Sequence, residues 1–278
     1  MPELPEVETV KRVLEPQLAG RQIREVQLVN PQVIAFPDPE SFSKEVCGKT
    51  IVGMGRRGKF LQMILGTGEH IVVHFRMTGC LLLSDAEYPA EKHTHVVFVL
   101  DNGQVLRYSD QIRFGRLWLI ADSTEYAVTG MDKLGLEPFD EGVTAAYLQE
   151  RLSSRRISIK EGLLEQSVIA GIGNIYSDEI LFACKIYPGK AANTLTSAQW
   201  RRLADQIPKT MEYYIETNAI SPEDYLKGKG KDYRNTPYLN VYGQSGKPCP
   251  CCGTILARTV IGGRSSVYCV KCQKKMGR

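Results

Sequence analysis

Apolar residues recur at helical spacing directly after the N-terminus. Val7, Val10, Val13 and Leu14 share one face of a helix predicted over Pro5–Leu18. Pro5 suits a first helical turn, and Pro16 is expected to fray or end the helix. From about Ile23 to Leu119 the pattern changes to short runs of β-branched and aromatic residues. Ile51-Val52, Phe60–Leu65, His70–His74, His95–Leu100, Val105–Tyr108 and Arg116–Ile120 read as strands, divided by turn signals such as Gly66-Thr67-Gly68 and Asp101-Asn102-Gly103. Strands at this spacing predict a β-sandwich. Lys133–Asp140 reads as a linker, after which helical periodicity returns over Ala145–Leu152, Ile159–Leu164, Ile175–Cys184 and Ser197–Thr217. Ile220–Tyr238 is polar, carries Gly-Lys-Gly-Lys at Gly228–Lys231, and predicts a flexible loop.

A chain of 278 residues is long enough for two domains and a small appendage. With 43% hydrophobic and 24% charged residues it can bury a sizeable core without disulfides. No apolar run approaches the roughly 18–20 residues of a membrane span. The acidic, proline-rich start Met1-Pro2-Glu3-Leu4-Pro5-Glu6 is unlike a secretory signal, which begins basic and continues apolar. A cytoplasmic protein with no membrane partner is therefore expected, and its eight cysteines call for something other than disulfides.

Four of them lie in the tail as Cys249-x2-Cys252, a sixteen-residue spacer, and Cys269-x2-Cys272. This spacing predicts one zinc ion, each close pair filling two corners of a tetrahedron. Four thiolates close the site, so the zinc is structural and its binding energy supplies folding energy to a module too small for its own core. The two-residue spacer favours Cys252 over Cys251 as the ligand. Cys47, Cys80 and Cys184 stand alone and read as small buried hydrophobes. The same tail, Val241–Arg278, holds seven basic residues and no acidic ones, so a net charge of +4 divides into +7 there and −3 elsewhere. A basic module of this kind fits a phosphate-bearing partner. Gly262-Gly263 predicts a hairpin turn presenting Arg264 at its tip.

The start Pro2-Glu3-Leu4-Pro5-Glu6-Val7-Glu8-Thr9, taken with the zinc tail, resembles the formamidopyrimidine-DNA glycosylase family, relatives of endonuclease VIII. Arg56-Arg57-Gly58-Lys59-Phe60-Leu61, His93-Thr94-His95, Arg113-Phe114-Gly115, Leu134–Pro138, Gly171–Tyr176 and Val241-Tyr242-Gly243 extend the resemblance over essentially the whole chain. It implies an α+β fold: an N-terminal β-sandwich carrying a catalytic helix (1–132), a helix–two-turn–helix domain (133–240) and a zinc ribbon (241–278). It implies a base-excision-repair glycosylase and AP lyase acting on oxidised bases in double-stranded DNA, formamidopyrimidine and 8-oxoguanine first. It requires no nucleotide cofactor. A monomer associated with the nucleoid is expected.

Removal of Met1 would expose the secondary amine of Pro2, a nucleophile for the sugar C1′ with a reference pKa of about 8. The resemblance makes Glu3 the neighbouring acid/base and Glu6 a second carboxylate that helps place the lesion or tunes the amine. Lys59 and Arg264 serve the two eliminations. A base must leave the stack to be reached, and Met77 and Phe114 match the wedges that fill the gap. His93, Arg113, Arg156, Lys160 and Asn174 match DNA contacts, the last in a Gly-Ile-Gly-Asn turn whose amides favour phosphate.

Two positions depart from the family. Gln111-Ile112 stands where a proline and an arginine are usual, and Ile112 has no side-chain donor for the orphaned base. Asn218-Ala219-Ile220-Ser221 replaces a glycine- and threonine-containing stretch before the loop over an extruded purine. These departures keep two alternatives open, a glycosylase preferring oxidised pyrimidines and a non-catalytic binder of damaged or structured DNA, and the tail alone would fit a third, a zinc-ribbon transcription or RNA factor. The last leaves the N-terminus unexplained.

Overall fold

The structure is a computed structural model that describes residues 2–231 and 236–275. Met1 and part of the predicted loop 220–238 lie outside the described residues. The chain divides into two compact units, Met1–Lys133 with Asn218–Arg234, and Leu134–Thr217 with Asn235–Arg278.

The first unit opens with α1 (Leu4–Leu18), capped by Glu3. Pro16 does not end this helix as expected. It sits in the last turn, where the one carbonyl it leaves without an N–H belongs to Arg12, and the Ala19 N–H still closes on the Glu15 carbonyl at 3.0 Å. The strands are β1 (Ile23–Leu28), β2 (Ile34–Phe36), β3 (Ile51–Arg57), β4 (Phe60–Leu65), β5 (His70–His74), β6 (Cys80–Asp85), β7 (Thr94–Leu100), β8 (Gln104–Ser109) and β9 (Arg116–Ile120). They form a sandwich of a four-stranded sheet, β1-β7-β8-β6, and a five-stranded sheet, β2-β9-β5-β4-β3. Inward residues of both sheets, such as Leu61, Val73, Phe98 and Leu106, share one core with Val10 and Leu14 of α1. Between β2 and β3 lies α2 (Pro39–Val46), started by Asp38, whose carboxylate accepts the Ser41 N–H at 3.0 Å. A four-residue helix, α3 (Tyr126–Thr129), follows β9. Part of the predicted loop also belongs here: Pro222–Lys227 is a helix that buries Tyr225 in the sandwich core. The Tyr225 hydroxyl donates to the Leu81 carbonyl at 2.8 Å.

The second unit contains α4 (Ala145–Leu152), α5 (Ile159–Leu164), α6 (Asn174–Ala183) and α7 (Ser197–Thr217), followed by a hairpin of β10 (Ala257–Ile261) and β11 (Arg264–Tyr268). Thr144 and Ser158 cap α4 and α5, Ser158 through a reciprocal box with Glu161. Glu179 is its polar centre. This buried carboxylate accepts the Tyr214 hydroxyl at 2.6 Å and the N–H groups of Asn240, Val241 and Tyr242 at 3.0, 2.9 and 2.8 Å. It thereby ties α6 and α7 to the segment leading into the zinc hairpin.

Candidate active site and DNA interface

Pro2 is buried at the head of α1. Glu3 and Glu6, both about 1% exposed, form a capping box in which the Glu3 N–H donates to Glu6 Oε2 at 2.9 Å. Two buried carboxylates thus stand in the first turn of α1, directly after Pro2.

Lys59 sits in the two-residue turn between β3 and β4, where Gly58 takes φ +55° and Arg57 pairs with Phe60. This turn is fixed to α1 by Arg56, which donates to Glu8 Oε2 at 2.9 Å and to the Gly58 carbonyl at 3.2 Å. Burial would raise the pKa of Glu8, but hydrogen bonds and charge from Arg12 and Arg56 outweigh it and hold the carboxyl below its usual range. Lys59 is also within electrostatic reach of His74, a residue that sequence reasoning passed over. Burial, then the charges of Arg76 and Lys59, pushes His74 down to about 3. The His74 Nδ1 accepts the Arg76 N–H at 3.0 Å, so the neutral ring keeps its proton on Nε2. Phe60 packs edge-on against it, ring centroids 4.6 Å apart.

Met77 and Phe114 are not core residues: they are 52% and 60% exposed, on the β5–β6 and β8–β9 loops. The preceding residues, Arg76 and Arg113, have φ of +52° and +61°. A non-glycine residue in this region costs on the order of 1–2 kcal/mol, so both loops are held in a strained form. Gln111 and Ile112 are exposed beside them, and His93 is half-buried before β7. Near α1, Asn218 is buried. Its amide donates to Thr9 Oγ1 at 3.0 Å, while its Oδ1 has no hydrogen-bond partner among the described residues.

In the second unit, Asn174 begins α6 after Gly173, its Oδ1 also buried without a donor among the described residues. The preceding turn is braced by Gln166, which accepts the Gly171 N–H at 3.0 Å and donates to the Ile172 carbonyl at 2.7 Å. Arg156 is exposed. Lys160, matched to a DNA contact, does not lie at the surface. It is 0% exposed and donates to Asp178 Oδ1 at 2.7 Å and to the Ser265 carbonyl at 3.0 Å, so its ammonium is engaged inside the unit. Asp178 also accepts the Ser266 hydroxyl at 2.5 Å and the Val267 N–H at 3.0 Å. The pair anchors β11 on α5 and α6. At the start of β11 Arg264 is exposed, next to a Gly262-Gly263 turn with φ of +53° and +73°.

The sulfurs of Cys249, Cys252, Cys269 and Cys272 all lie within 4.8 Å of one another, with Cys249–Cys272 at 4.0 Å and Cys252–Cys269 at 3.5 Å. Zinc–sulfur bonds of about 2.3 Å set tetrahedral sulfurs about 3.8 Å apart, so these thiolates fit one structural zinc. Cys251 is exposed outside the cluster. Cys80 and Cys184 are buried as expected, but Cys47, the residue after the last turn of α2, is exposed.

The chain matches three family models: the formamidopyrimidine-DNA glycosylase N-terminal domain over residues 1–117, the helix–two-turn–helix domain of the same enzymes over residues 134–225, and a zinc finger found in these enzymes and in IleRS over residues 246–275. It is 42% identical over 274 residues to a formamidopyrimidine-DNA glycosylase of Pelotomaculum thermopropionicum, covering 99% of both chains. It also superposes on the Lactococcus lactis enzyme solved with oxidised-pyrimidine DNA, with a TM-score of 0.90, 35% identity and coverage of 99% and 100%. The same enzyme solved with Fapy-dG DNA gives a TM-score of 0.89 at 34% identity, covering 98% and 100%. No helix among the described residues is long and apolar enough to cross a membrane. Sequence, fold and zinc cluster agree that the chain belongs to the formamidopyrimidine-DNA glycosylase family, the base-excision-repair glycosylases with AP-lyase activity.

Proposed function

We propose that the chain removes formamidopyrimidine and 8-oxoguanine from duplex DNA through a Schiff base on Pro2, acting as a cytoplasmic monomer at the nucleoid. The observation that carries this reading is the position of Pro2 beside two buried carboxylates at the head of α1. Once Met1 is removed, the Pro2 nitrogen attacks C1′ and the glycosidic bond breaks, its electron pair leaving with the base. Glu3 moves the protons that let the base leave and the sugar ring open at O4′. The resulting iminium acidifies the C2′ proton, whose loss expels the 3′ phosphate. A second elimination expels the 5′ phosphate. Lys59 and Arg264 assist the two departures, and Glu6 holds the Glu3 backbone in place.

Met77 and Phe114 fill the gap left by the extruded nucleotide, as their exposure on strained loops favours. Arg113, Arg156, Asn174 and His93 contact DNA, and His74 joins them as a neutral Nε2–H donor. The zinc lends the Arg264 hairpin its fold. A preference for oxidised pyrimidines is the second reading. It is favoured by Ile112, which has no side-chain donor for the base opposite a purine lesion.

Borohydride trapping on processed protein tests the proposal. Covalent capture at Pro2 by 8-oxoguanine duplex is expected, with abasic duplex as positive control. Capture with oxidised-pyrimidine duplex and not with 8-oxoguanine would establish the second reading. Zinc-loaded protein lacking Met1 that traps neither lesion nor abasic duplex would refute the Schiff base.

A further inference from the structure

Asp110 follows β8 and is 1% exposed, yet the catalytic scheme gives it no task. All its polar atoms are engaged. Its N–H donates to the His93 carbonyl at 3.0 Å, and its carbonyl oxygen lies 2.8 Å from His95 Nε2. Oδ1 accepts the Thr78 hydroxyl and the Ile112 N–H, the latter at 3.3 Å. Oδ2 accepts the Gly115 N–H at 2.8 Å and the Tyr108 hydroxyl at 3.5 Å. Thr78 follows Met77, whereas Ile112 and Gly115 bracket Phe114. One carboxylate therefore holds both loops that carry the exposed apolar residues. Thr78 Oγ1 adds a direct link by accepting the Ile112 N–H at 3.2 Å.

The glycines that close the two loops converge on the same place. A Cβ on Gly79 would lie 3.0 Å from the Tyr108 hydroxyl and 2.6 Å from the Phe75 carbonyl oxygen. A Cβ on Gly115 would lie 1.9 Å from that hydroxyl. Both loops thus close directly onto the Tyr108–Asp110 pair, and each presents its apolar residue just after an arginine of positive φ.

We propose that Asp110 is a positioning residue that sets the two wedges, Met77 and Phe114, in register for entering the base stack. The inference rests on the wedge reading above. It differs from a general structural role because it assigns Asp110 to base extrusion and not to the chemistry at Pro2. Loosening the Asp110 contacts should slow extrusion, while a substrate with no base to extrude should be unaffected.

Thr78→Val removes the hydroxyl that joins the loops and keeps its volume. Asp110→Asn puts an N–H₂ group opposite either the Gly115 N–H or the Thr78 hydroxyl. Both are measured in single turnover on 8-oxoguanine duplex and on a single-stranded abasic oligonucleotide, with Met77→Ala and Phe114→Ala in parallel. A 2-aminopurine next to the lesion reports unstacking. The expected result for both variants is a tenfold or greater loss of duplex excision and a slower 2-aminopurine rise, with single-strand lyase within twofold. If Asp110→Asn lowers the melting temperature sharply, Thr78→Val decides alone. Duplex excision by Thr78→Val at the full rate overturns the positioning role, as does an equal fall on both substrates. If the Met77 and Phe114 variants themselves excise normally, the wedge reading fails and the inference with it.

Discussion

Replacing Lys160 by Met separates a structural lysine from a phosphate contact. The variant leaves Asp178, whose carboxyl burial already pushes above its usual range, 0% exposed and without its cation, retaining the Ser266 hydroxyl and Val267 N–H. Breaking one half of a buried ion pair costs about 3–5 kcal/mol. For a unit of this size each kcal/mol lowers the midpoint by about 3–5 °C, so the helical unit should melt roughly 10–20 °C earlier. The double variant Lys160→Met/Asp178→Leu should recover most of that loss, because neither charge is then stranded. DNA affinity measured well below the midpoint, as a function of salt, gives the second half of the test. Each phosphate contact contributes about 0.9 to the slope of log K against log salt. Lys160→Met should leave the slope unchanged, and Arg156→Ala should lower it by about 0.9. A Lys160→Met protein of normal stability with a reduced slope would refute the assignment.

Three further outcomes are expected. The His74 ring should show no titration between pH 5 and 8 by nitrogen NMR. Its folded pKa of about 3 lies below the unfolded value of about 6.5, so its contribution to stability is complete above that value and is lost as pH falls towards 3. Ile112→Arg should raise the preference for lesions opposite cytosine over adenine about tenfold, as one good side-chain pair to a base edge discriminates against the wrong base by about 1–3 kcal/mol; an unchanged ratio of excision rates would place opposite-base reading elsewhere. Zinc removal by a chelator should unfold the 249–272 module and weaken DNA binding, with readdition restoring both; unchanged affinity in metal-free protein would contradict a structural role.

Much of this architecture was legible in the chain because the signals were local. The zinc spacing, the helix capped by Glu3 and the Gly262-Gly263 turn are all determined within a few residues. The misreadings come from partners distant in sequence. Lys160 looks like a surface cation until Asp178 and Ser265 are placed against it. Pro222–Lys227 is polar enough to read as loop, because its one deeply buried side chain, Tyr225, finds its core in strands more than a hundred residues earlier. Asp110 carries no pattern of its own, since its importance lies in the two loops it joins. β6 was missed because Cys80–Asp85 is apolar on both faces and shows no alternation.

The docking of Tyr225 has a consequence for how the protein is made. The sandwich is discontinuous: its last core residue is separated from its last strand by the whole run of helices from 134 to 217. On the ribosome, the strands emerge early but wait for a plug encoded about a hundred residues downstream. Over that interval Leu81 lacks its tyrosine partner and the core has an open seam. The N-terminal helix thus precedes by about two hundred residues the tyrosine that completes the core it packs on, and a chain ending before residue 222 would leave apolar surface of that core uncovered.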